Sequence, residues 1–260
     1  MTLKNKLFDI ISKFNITNNC QIMIGFEFEF YILSSNNNKL SNIELDNFIK
    51  ILNQSFNCSN FKREQGESQI ELIINASFDI IANYHKLLYY KIRISQIAQK
   101  YNHQFIIAGQ PFIDDCGSSL QVNLSLHDNN KYFINQKDII ENYCHQLLDL
   151  TPNIIKLLHN KIDNRFDHNI NYNLFKRGKY CAPTNLSYGY NNRTCLIRIA
   201  KSQINNSCYR IEYRAASSYY NIYKLLVALL QNINIYKKTK NQYQPIYGNS
   251  FDEKYLLEKL

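Results

Sequence analysis

Strand-length segments in which apolar and polar residues alternate most constrain how this chain can fold. Residues 25–33, GFEFEFYIL, put three phenylalanines on one side of a strand and Glu27 and Glu29 on the other. The same alternation recurs at residues 119–126, SLQVNLSL, and at residues 209–214, YRIEYR. Strands of this kind build a sheet with one apolar and one polar face. Glu27 and Glu29 are then about 7 Å apart on the polar face and need a positive partner.

Helical patterns between these strands predict the layer that covers the apolar face. Amphipathic periodicity predicts helices over the N-terminal MTLKNKLFDIISKF and over residues 41–56, 76–101 and 217–230. Residues 136–159 predict one or two helices with a break near Thr151 and Pro152, because proline disfavours helix in the residue before it.

Further short strands are expected at 70–74, 104–107 and 195–199, whereas residues 163–179 form a polar segment. The sequence shows neither a repeat nor a clear linker, so a single α+β domain is expected over residues 1–260. The pattern of elements predicts an antiparallel sheet with one charged face, backed by helices.

Composition narrows the class of protein. The chain has 260 residues, 45% of them hydrophobic and 20% charged, which is typical of a globular protein. Its net charge of +9 comes from scattered Lys and Arg with only a short cluster at Lys237–Lys240, so it does not favour nucleic-acid binding. No apolar stretch approaches ~20 residues, and the N-terminus does not resemble a signal peptide, so no membrane association is expected. The seven cysteines lack C-x-x-C spacing, which favours a reduced, cytoplasmic protein with buried thiols over a zinc protein.

The polar positions of the predicted strands and their flanking loops are acidic, amide or basic. They are Glu27, Glu29, Glu64, Glu71 and Glu212; Gln121 and Asn123; and Arg193, Arg198, Arg210 and Arg214. Carboxylate oxygens suit Mg²⁺ or Mn²⁺, and guanidinium groups suit phosphate oxygens. Two interpretations follow: a phosphoryl-transfer site on the sheet, or a solvated face with cross-strand ion pairs.

The order of these motifs resembles the catalytic domain of glutamine synthetases. The resemblance runs from about residue 22 to at least residue 230 and rests on the succession of several short blocks. In chain order they are EFEF at 27–30, EQGESQIE at 64–71, GSSLQVNLSL at 117–126, APTN at 182–185, NR at 192–193, IRI at 197–199 and RIEYR at 210–214. The resemblance implies a curved antiparallel sheet on which ATP and two divalent ions convert glutamate to γ-glutamyl phosphate, which ammonia then attacks.

Carried over position by position, the resemblance implies a role for each site residue. Glu29, Glu64 and Glu71 would hold one Mg²⁺ or Mn²⁺ ion. Glu27 and Glu212 would hold the other, with Gln121 at the position of the family's metal-binding histidine. Arg193 and Arg198 would hold phosphates, and Arg214 would contact the glutamate carboxylate or the transferred phosphoryl group. Arg193 and Arg214 are thus the predicted catalytic residues, and Arg198 and Arg210 the predicted nucleotide-binding ones.

Several departures from the family pattern leave the function open. A neutral amide at Gln121 should weaken the second metal site. The family's flap loop is expected to be missing between Asn185 and Leu186, and the N-terminal β-grasp domain and much of the C-terminal region are expected to be missing as well. The chain is therefore predicted to be a carboxylate–amine ligase that acts on ATP, on glutamate or a similar carboxylate, and on an amine. The alternative is a degenerate, non-catalytic relative that binds nucleotide or a partner subunit. Further copies of the chain, or a separately encoded subunit, are its expected protein partners. Nucleic-acid binding is the third and least favoured hypothesis.

Overall fold

One eight-stranded sheet organises the part of the chain that the computed structural model describes, residues 3–130, 132–159, 163–179, 182–201 and 208–260. The strands are β1 (Gln21–Ser34), β2 (Phe61–Arg63), β3 (Gln69–Ser77), β4 (His103–Ile106), β5 (Leu120–His127), β6 (Tyr188–Tyr190), β7 (Ile197–Lys201) and β8 (Tyr209–Tyr213). The helices are α1 (Leu3–Asn18), α2 (Asn42–Ser55), α3 (Ile80–Lys100), α4 (Lys137–Leu158), α5 (His168–Lys176) and α6 (Ile222–Leu230), with a short 3₁₀ turn at Glu253–Tyr255. The predicted α+β arrangement is confirmed.

The long strand β1 is the centre of the sheet. It pairs antiparallel with β3 on one side and with β5 and then β4 on the other. The strand order is β2-β3-β1-β5-β8-β7-β6, and the sheet is not closed. Gly25 lies where the β1–β3 register shifts, and a Cβ there would stand 2.8 Å from the Ile74 carbonyl oxygen. The backbones therefore approach each other at a point where only glycine fits.

The apolar face of the sheet forms the core, as the alternation predicts. Phe26, Phe28 and Phe30 are fully buried. Helix α3 packs on β1, β3 and β4, α4 packs on β8, and α1 and α6 complete the same layer. Side-chain caps fix the starts of α3 and α6, because Asp79 accepts from the Ala82 amide and Asn221 from the Lys224 amide. Burial of this face leaves the opposite, polar face on the other side of the sheet.

The structure differs from the sequence prediction in several elements, and the short strand β2 is one that no pattern predicted. Helix α4 runs unbroken through Pro152, so the predicted break near Thr151 is wrong. The Thr151 hydroxyl donates to the Leu147 carbonyl at 2.7 Å, and buried side chains on both sides of the proline hold the helix in one piece. Helix α5 lies inside the segment 163–179 that shows no apolar periodicity. Strand β6 pairs parallel with β7, so the sheet is mixed rather than wholly antiparallel.

The described cysteines are unpaired and mostly buried, as the composition predicts. Six cysteines lie among the described residues; all six are free, and five are buried, while Cys58 is half-buried. Cys181 lies outside the described residues. A search of the described helices finds none with the length and apolarity needed to cross a bilayer.

Candidate functional site

Strand register brings the polar side chains into rows across one face. Directly opposed residues of neighbouring strands point to the same side of a sheet. Glu29 lies opposite Glu71, and Glu27 lies opposite Gln121. Glu212 lies opposite Asn123 on one side and Arg198 on the other. The alternation within each strand and the pairing between strands thus place acids, amides and arginines together.

A cavity of about 480 Å³ opens on this face. Nearly all of the predicted site residues line it, together with five further cationic or amide residues. The predicted ones are Glu27, Glu29, Glu64, Glu71, Gln121, Arg193, Arg198, Arg210 and Arg214, and the others are Lys62, Gln69, Asn75, Asn123 and Arg165. Glu212 is buried beneath the arginines and is absent from the lining. The face is therefore a concave site rather than an open solvated surface.

Four carboxylates form the acidic end of the cavity, around β1, β3 and the turn that follows β2. Burial raises the pKa of Glu64 to about 7, with repulsion from Glu29 adding to the shift. Burial, and then repulsion from Glu27, raises the pKa of Glu71 to about 8. Lys62 Nζ lies 2.7 Å from Glu71 Oε2 and partly offsets this effect. Crowded acids of this kind favour the approach of a cation.

The two amides of β5 bridge the acids of β1 to Arg210 on β8 and to Arg214, which directly follows β8. Gln121 Nε2 donates to Glu29 Oε1 at 3.0 Å, while Gln121 Oε1 accepts from Arg214 Nη1 at 3.0 Å. Two residues along the strand, Asn123 Nδ2 donates to Glu27 Oε1 at 3.0 Å, and Asn123 Oδ1 accepts from Arg210 Nε at 3.1 Å. We call these two carboxylate–amide–guanidinium connections the amide bridges. They hold the acidic and basic ends at a set separation.

Guanidinium groups crowd the basic end around Glu212. Arg214 donates to Glu212 Oε1, and Arg198 Nη1 donates to Oε2 at 3.0 Å, with Arg210 Nη2 at 3.8 Å from Oε2. Burial would raise the pKa of Glu212, but Arg214 and Arg198 hold it below its ordinary value. Glu212 therefore stays ionised and serves as the shared counter-ion of the arginines in this structure. Its predicted role as a metal ligand remains a prediction.

Arg165 belongs to the basic end, although the sequence analysis missed it. It precedes α5, is only 3% exposed, and its Nη2 donates to the Arg214 carbonyl at 3.5 Å. The Nε groups of Arg165, Arg198 and Arg214 are buried, and none of them has a hydrogen-bond partner among the residues that the structure describes. Unpaired buried donors on cations favour an anionic ligand. Arg165 lies in the polar segment without periodicity, so no sequence signal marked it.

The segment before β5 forms a wall of the cavity and is fixed by several hydrogen bonds. The Ser119 amide donates to Glu29 Oε2 at 2.8 Å, and the Tyr31 hydroxyl donates to the Cys116 carbonyl at 2.7 Å. Buried Asp115 forms 2.7 Å ion pairs with both Lys39 and Lys179. This wall holds one oxygen of Glu29 in place while Gln121 holds the other.

The donor set at the acidic end fits a hard divalent cation, since it offers several carboxylate oxygens. Among the described residues, no three acidic, histidine or cysteine side chains are already close enough to hold one ion. A cation there would take part of its ligands from these carboxylates as placed. Water or phosphate oxygens would complete the shell, as is common for Mg²⁺.

Comparison with known proteins gives one family. The family described as glutamine synthetase, catalytic domain, matches residues 45–245. The chain is similar to gamma-glutamylputrescine synthetase PuuA of Escherichia coli (strain K12), with 23% identity over 176 residues, 65% of this chain and 35% of that protein. It is also similar to a glutamine synthetase of Microchaete diplosiphon, with 26% identity over 152 residues, 55% of this chain and 30% of that protein. The matched region thus spans about a third of the length of these curated relatives.

Solved structures share the fold. A GmaS/ADP complex aligns with a TM-score of 0.70 at 14% identity and covers 100% of this chain and 65% of that one. The cryo-EM structure of Plasmodium falciparum glutamine synthetase aligns with a TM-score of 0.67 at 18% identity, covering 88% of this chain and 54% of that one. At these identities the likeness concerns the fold alone.

Proposed function

The chain belongs to the glutamine synthetase family, and from that premise we propose that it is an ATP-dependent ligase that joins a carboxylate to an amine. The observation that carries the proposal is the charge separation inside one cavity, with Glu27, Glu29, Glu64 and Glu71 at one end and a cluster of arginines at the other. Such a site suits a nucleoside triphosphate that binds together with a divalent cation.

The acidic end is proposed to hold Mg²⁺ or Mn²⁺. Glu29, Glu64 and Glu71 would be ligands of one ion, and Glu27 would serve a second with Glu212 or Gln121 only if their arginine contacts are released. A bound cation would neutralise phosphate oxygens and make the γ-phosphorus more open to attack. The pKa values of Glu64 and Glu71, raised by burial, support a cation requirement at this end.

The basic end is proposed to hold the phosphates and the substrate carboxylate. Arg193, Arg198 and Arg210 would contact the phosphates of ATP, and Arg214 and Arg165 the carboxylate or the transferred phosphoryl group. A substrate carboxylate oxygen attacks the γ-phosphorus, the bond to the bridging oxygen breaks, and ADP leaves. The amine then attacks the acyl carbon, phosphate departs and one proton is released. Fixed guanidinium groups stabilise the charge that develops in both steps.

Glutamate is the proposed carboxylate, since the names of both curated relatives denote products formed from glutamate. The amine is proposed to be ammonia or a small primary amine, and the relative named for γ-glutamylputrescine supports testing an amine larger than ammonia. The reaction is proposed to take place in the cytoplasm, with further copies of the chain or another subunit as partners.

One observation favours a second candidate, a non-catalytic relative that binds nucleotide or a partner. Both oxygens of Glu212 and the oxygen of Gln121 accept hydrogen bonds from arginines. A second cation would have to displace these contacts. Loss of that site would leave phosphate binding intact while weakening phosphoryl transfer.

Calorimetric titration with ATP in Mg²⁺ tests the proposal, with Glu29→Gln and Arg198→Ala as site variants. Glu67→Gln and Arg93→Ala are matched controls because both side chains lie at exposed positions outside the cavity. We expect binding in the native chain and both controls, and its loss in both site variants. ADP release is then measured with glutamate and ammonium, a short monoamine or putrescine. Turnover excludes the non-catalytic candidate, and failure of the folded chain to bind Mg·ATP overturns the ligase proposal.

A further inference from the structure

We propose that Lys62 is a built-in counter-ion of the carboxylate cluster that competes with the divalent cation for Glu71 and so lowers the cation affinity of this site. The inference rests on the proposed function, because it concerns the same cation site. It adds a residue that regulates that site and is not one of the predicted ligands.

Strand geometry places Lys62 on the acidic end. Lys62 lies on the edge strand β2, directly opposite Glu71 of β3. Its Nζ is 2.7 Å from Glu71 Oε2 and it lines the same cavity as Glu27, Glu29 and Glu64. The side chain of Glu71 is 5% exposed, whereas that of Lys62 is 57% exposed. The ammonium group of Lys62 therefore extends from the rim of the cavity to the Glu71 carboxylate, which is shielded from solvent.

Burial distinguishes this contact from an ordinary surface ion pair. Exposed pairs contribute little because water screens both charges. Glu71 instead lies among three other carboxylates in a shielded cavity, where an ionised oxygen needs a positive neighbour. Lys62 is the positive group within 4.0 Å of Glu71 among the described residues. We infer that it keeps the acidic end folded when no metal is bound.

A divalent cation is attracted to the same Glu71 oxygen more strongly than an ammonium group is. It carries twice the charge of an ammonium group and can contact several carboxylates at once. Lysine holds its charge on a flexible stem, and the edge position leaves Lys62 room to turn toward solvent. Binding is therefore an exchange in which the ammonium group leaves Glu71 as the cation arrives. The exchange lowers the affinity relative to a site without Lys62.

Titration with Mn²⁺ alone, followed by electron paramagnetic resonance of the free ion, tests the inference on the full chain. Lys62→Met removes the charge and keeps the stem, and we expect it to tighten Mn²⁺ binding on the order of tenfold. Lys62→Arg keeps a cation, and Lys224→Met removes an exposed lysine from α6 outside the cavity. Both should stay within about threefold of the native chain.

Thermal unfolding provides a second readout that a purely structural role would not reproduce. In EDTA, Lys62→Met should unfold at a lower temperature than the native chain, because Glu71 loses its counter-ion. Addition of Mn²⁺ should raise the unfolding temperature of this variant by more than it raises that of the native chain. In a Glu71→Gln background the same substitution should tighten Mn²⁺ binding by less than about threefold, since Lys62 no longer competes for a Glu71 oxygen and acts only at a distance. Lys62→Gln serves as the replacement should the methionine variant fail to fold.

The outcomes separate the inference from the proposed function. Equal or weaker Mn²⁺ binding by Lys62→Met and Lys62→Gln, with binding by the native chain intact, overturns the role of Lys62 and leaves the ligase proposal standing. Tightening of the full tenfold size in the Glu71→Gln background also overturns it, because the competition would not involve Glu71. Absence of Mn²⁺ binding in the native chain and every folded variant overturns the cation site itself and the inference with it.

Discussion

Gln121 shows how a single neutral side chain can organise charges on both sides of it. Its amide nitrogen contacts Glu29 and its oxygen contacts Arg214. The resemblance to the family suggests a weak metal ligand at this position, whereas the contacts indicate a positioning residue. A cation could use the Gln121 oxygen only after Arg214 released it. The hydrogen bonds thus account for the Gln121 amide in this structure, and its role as a metal ligand stays a prediction.

Replacement of Gln121 by methionine should destabilise the chain by about 1 to 3 kcal/mol, because buried Glu29 and Arg214 each lose a partner. Methionine keeps the length of the side chain and removes both hydrogen bonds. Urea denaturation measures the change, with Gln96→Met on the exposed surface of α3 as the control, expected within about 0.5 kcal/mol of the native chain. Equal stability of the two variants would show that the bridge contributes nothing.

The environment of Lys91, which lies outside the cavity, predicts that the folding stability depends on pH. Its Nζ donates to the Ser218 carbonyl at 2.8 Å and lies 4.8 Å from the centre of the Phe28 ring. Burial lowers its pKa to about 8. Between pH 8 and the ordinary lysine pKa of about 10.4, the unfolded chain therefore binds more protons than the folded one. The contribution of this lysine to stability rises with pH in that window, and its full destabilising effect is present below it.

Lys91→Met should therefore be most stabilising, relative to the native chain, at neutral pH. The difference in unfolding free energy between variant and native chain should shrink by about 2 kcal/mol from pH 7 to pH 10. Urea denaturation at both pH values measures it, and taking the difference cancels the titration of cysteines and tyrosines common to both chains. A difference that does not change with pH would contradict burial as the cause.

At the scale of elements, periodicity predicted the long strands and helices and left out the short ones. Strands β1, β5 and β8 alternate over enough residues to identify the buried face. Strands β2 and β6 have three residues each, too few for a period, and α5 buries only Asn171 and Leu174. These short elements matter for the site, because β2 carries Lys62 and the loop before α5 carries Arg165.

Side-chain types predicted the cavity better than they predicted its contacts. The sequence placed Glu29 and Arg214 on one polar face, but pairing between strands determines that Gln121 joins them. Glu212 is the clearest example. The sequence pattern predicts an acid on the polar face and hence a metal ligand, but it does not predict that arginines in β7 and in or just after β8 surround and bury this side chain. Partner choice depends on register, which the pattern of a single strand does not contain.

Pro152 lies inside the unbroken helix α4, and its replacement should change the stability of the chain. A proline inside a helix lacks an amide donor and crowds the carbonyl four residues earlier. Pro152 is exposed on this helix, so Pro152→Ala should restore the hydrogen bond and stabilise the chain by about 1 to 3 kcal/mol. Denaturation by urea measures it, with the exposed neighbour Asn153→Ala as the control, expected to gain less than about 1 kcal/mol. A destabilised alanine variant would mean that the core packing requires the proline.

At the scale of the whole molecule, the sheet separates the acidic end of the cavity from the basic end. The strand order puts β2 and β3, with Glu71 and Lys62, on one side of β1, and β8 and β7, with Glu212 and Arg198, beyond β5 on the other. The acidic and basic ends therefore belong to different halves of one sheet, joined through β1 and β5. A cation and a polyphosphate should bind to different halves and assist each other when both are present.

A variant in each half should lose a different ligand. Glu64→Gln should lose most of the rise in melting temperature caused by Mn²⁺ alone and keep the rise caused by inorganic tripolyphosphate in EDTA. Arg198→Ala should show the opposite pattern, since it removes a guanidinium group from the basic end. In the native chain, the two ligands together should raise the melting temperature by more than the sum of their separate effects, because each neutralises the repulsion that the other meets.

Controls for this separation come from the same elements. Glu67→Gln removes an acid whose side chain is 74% exposed, three residues after Glu64, and Arg93→Ala removes an exposed arginine from α3. Both should respond to Mn²⁺ and to tripolyphosphate like the native chain. If Glu64→Gln and Arg198→Ala, both folded, lost the two responses equally, the halves would act as one indivisible site. The amide bridges through Gln121 and Asn123 would then be the reason, since each connects an acid of β1, through one amide, to an arginine in or just after β8.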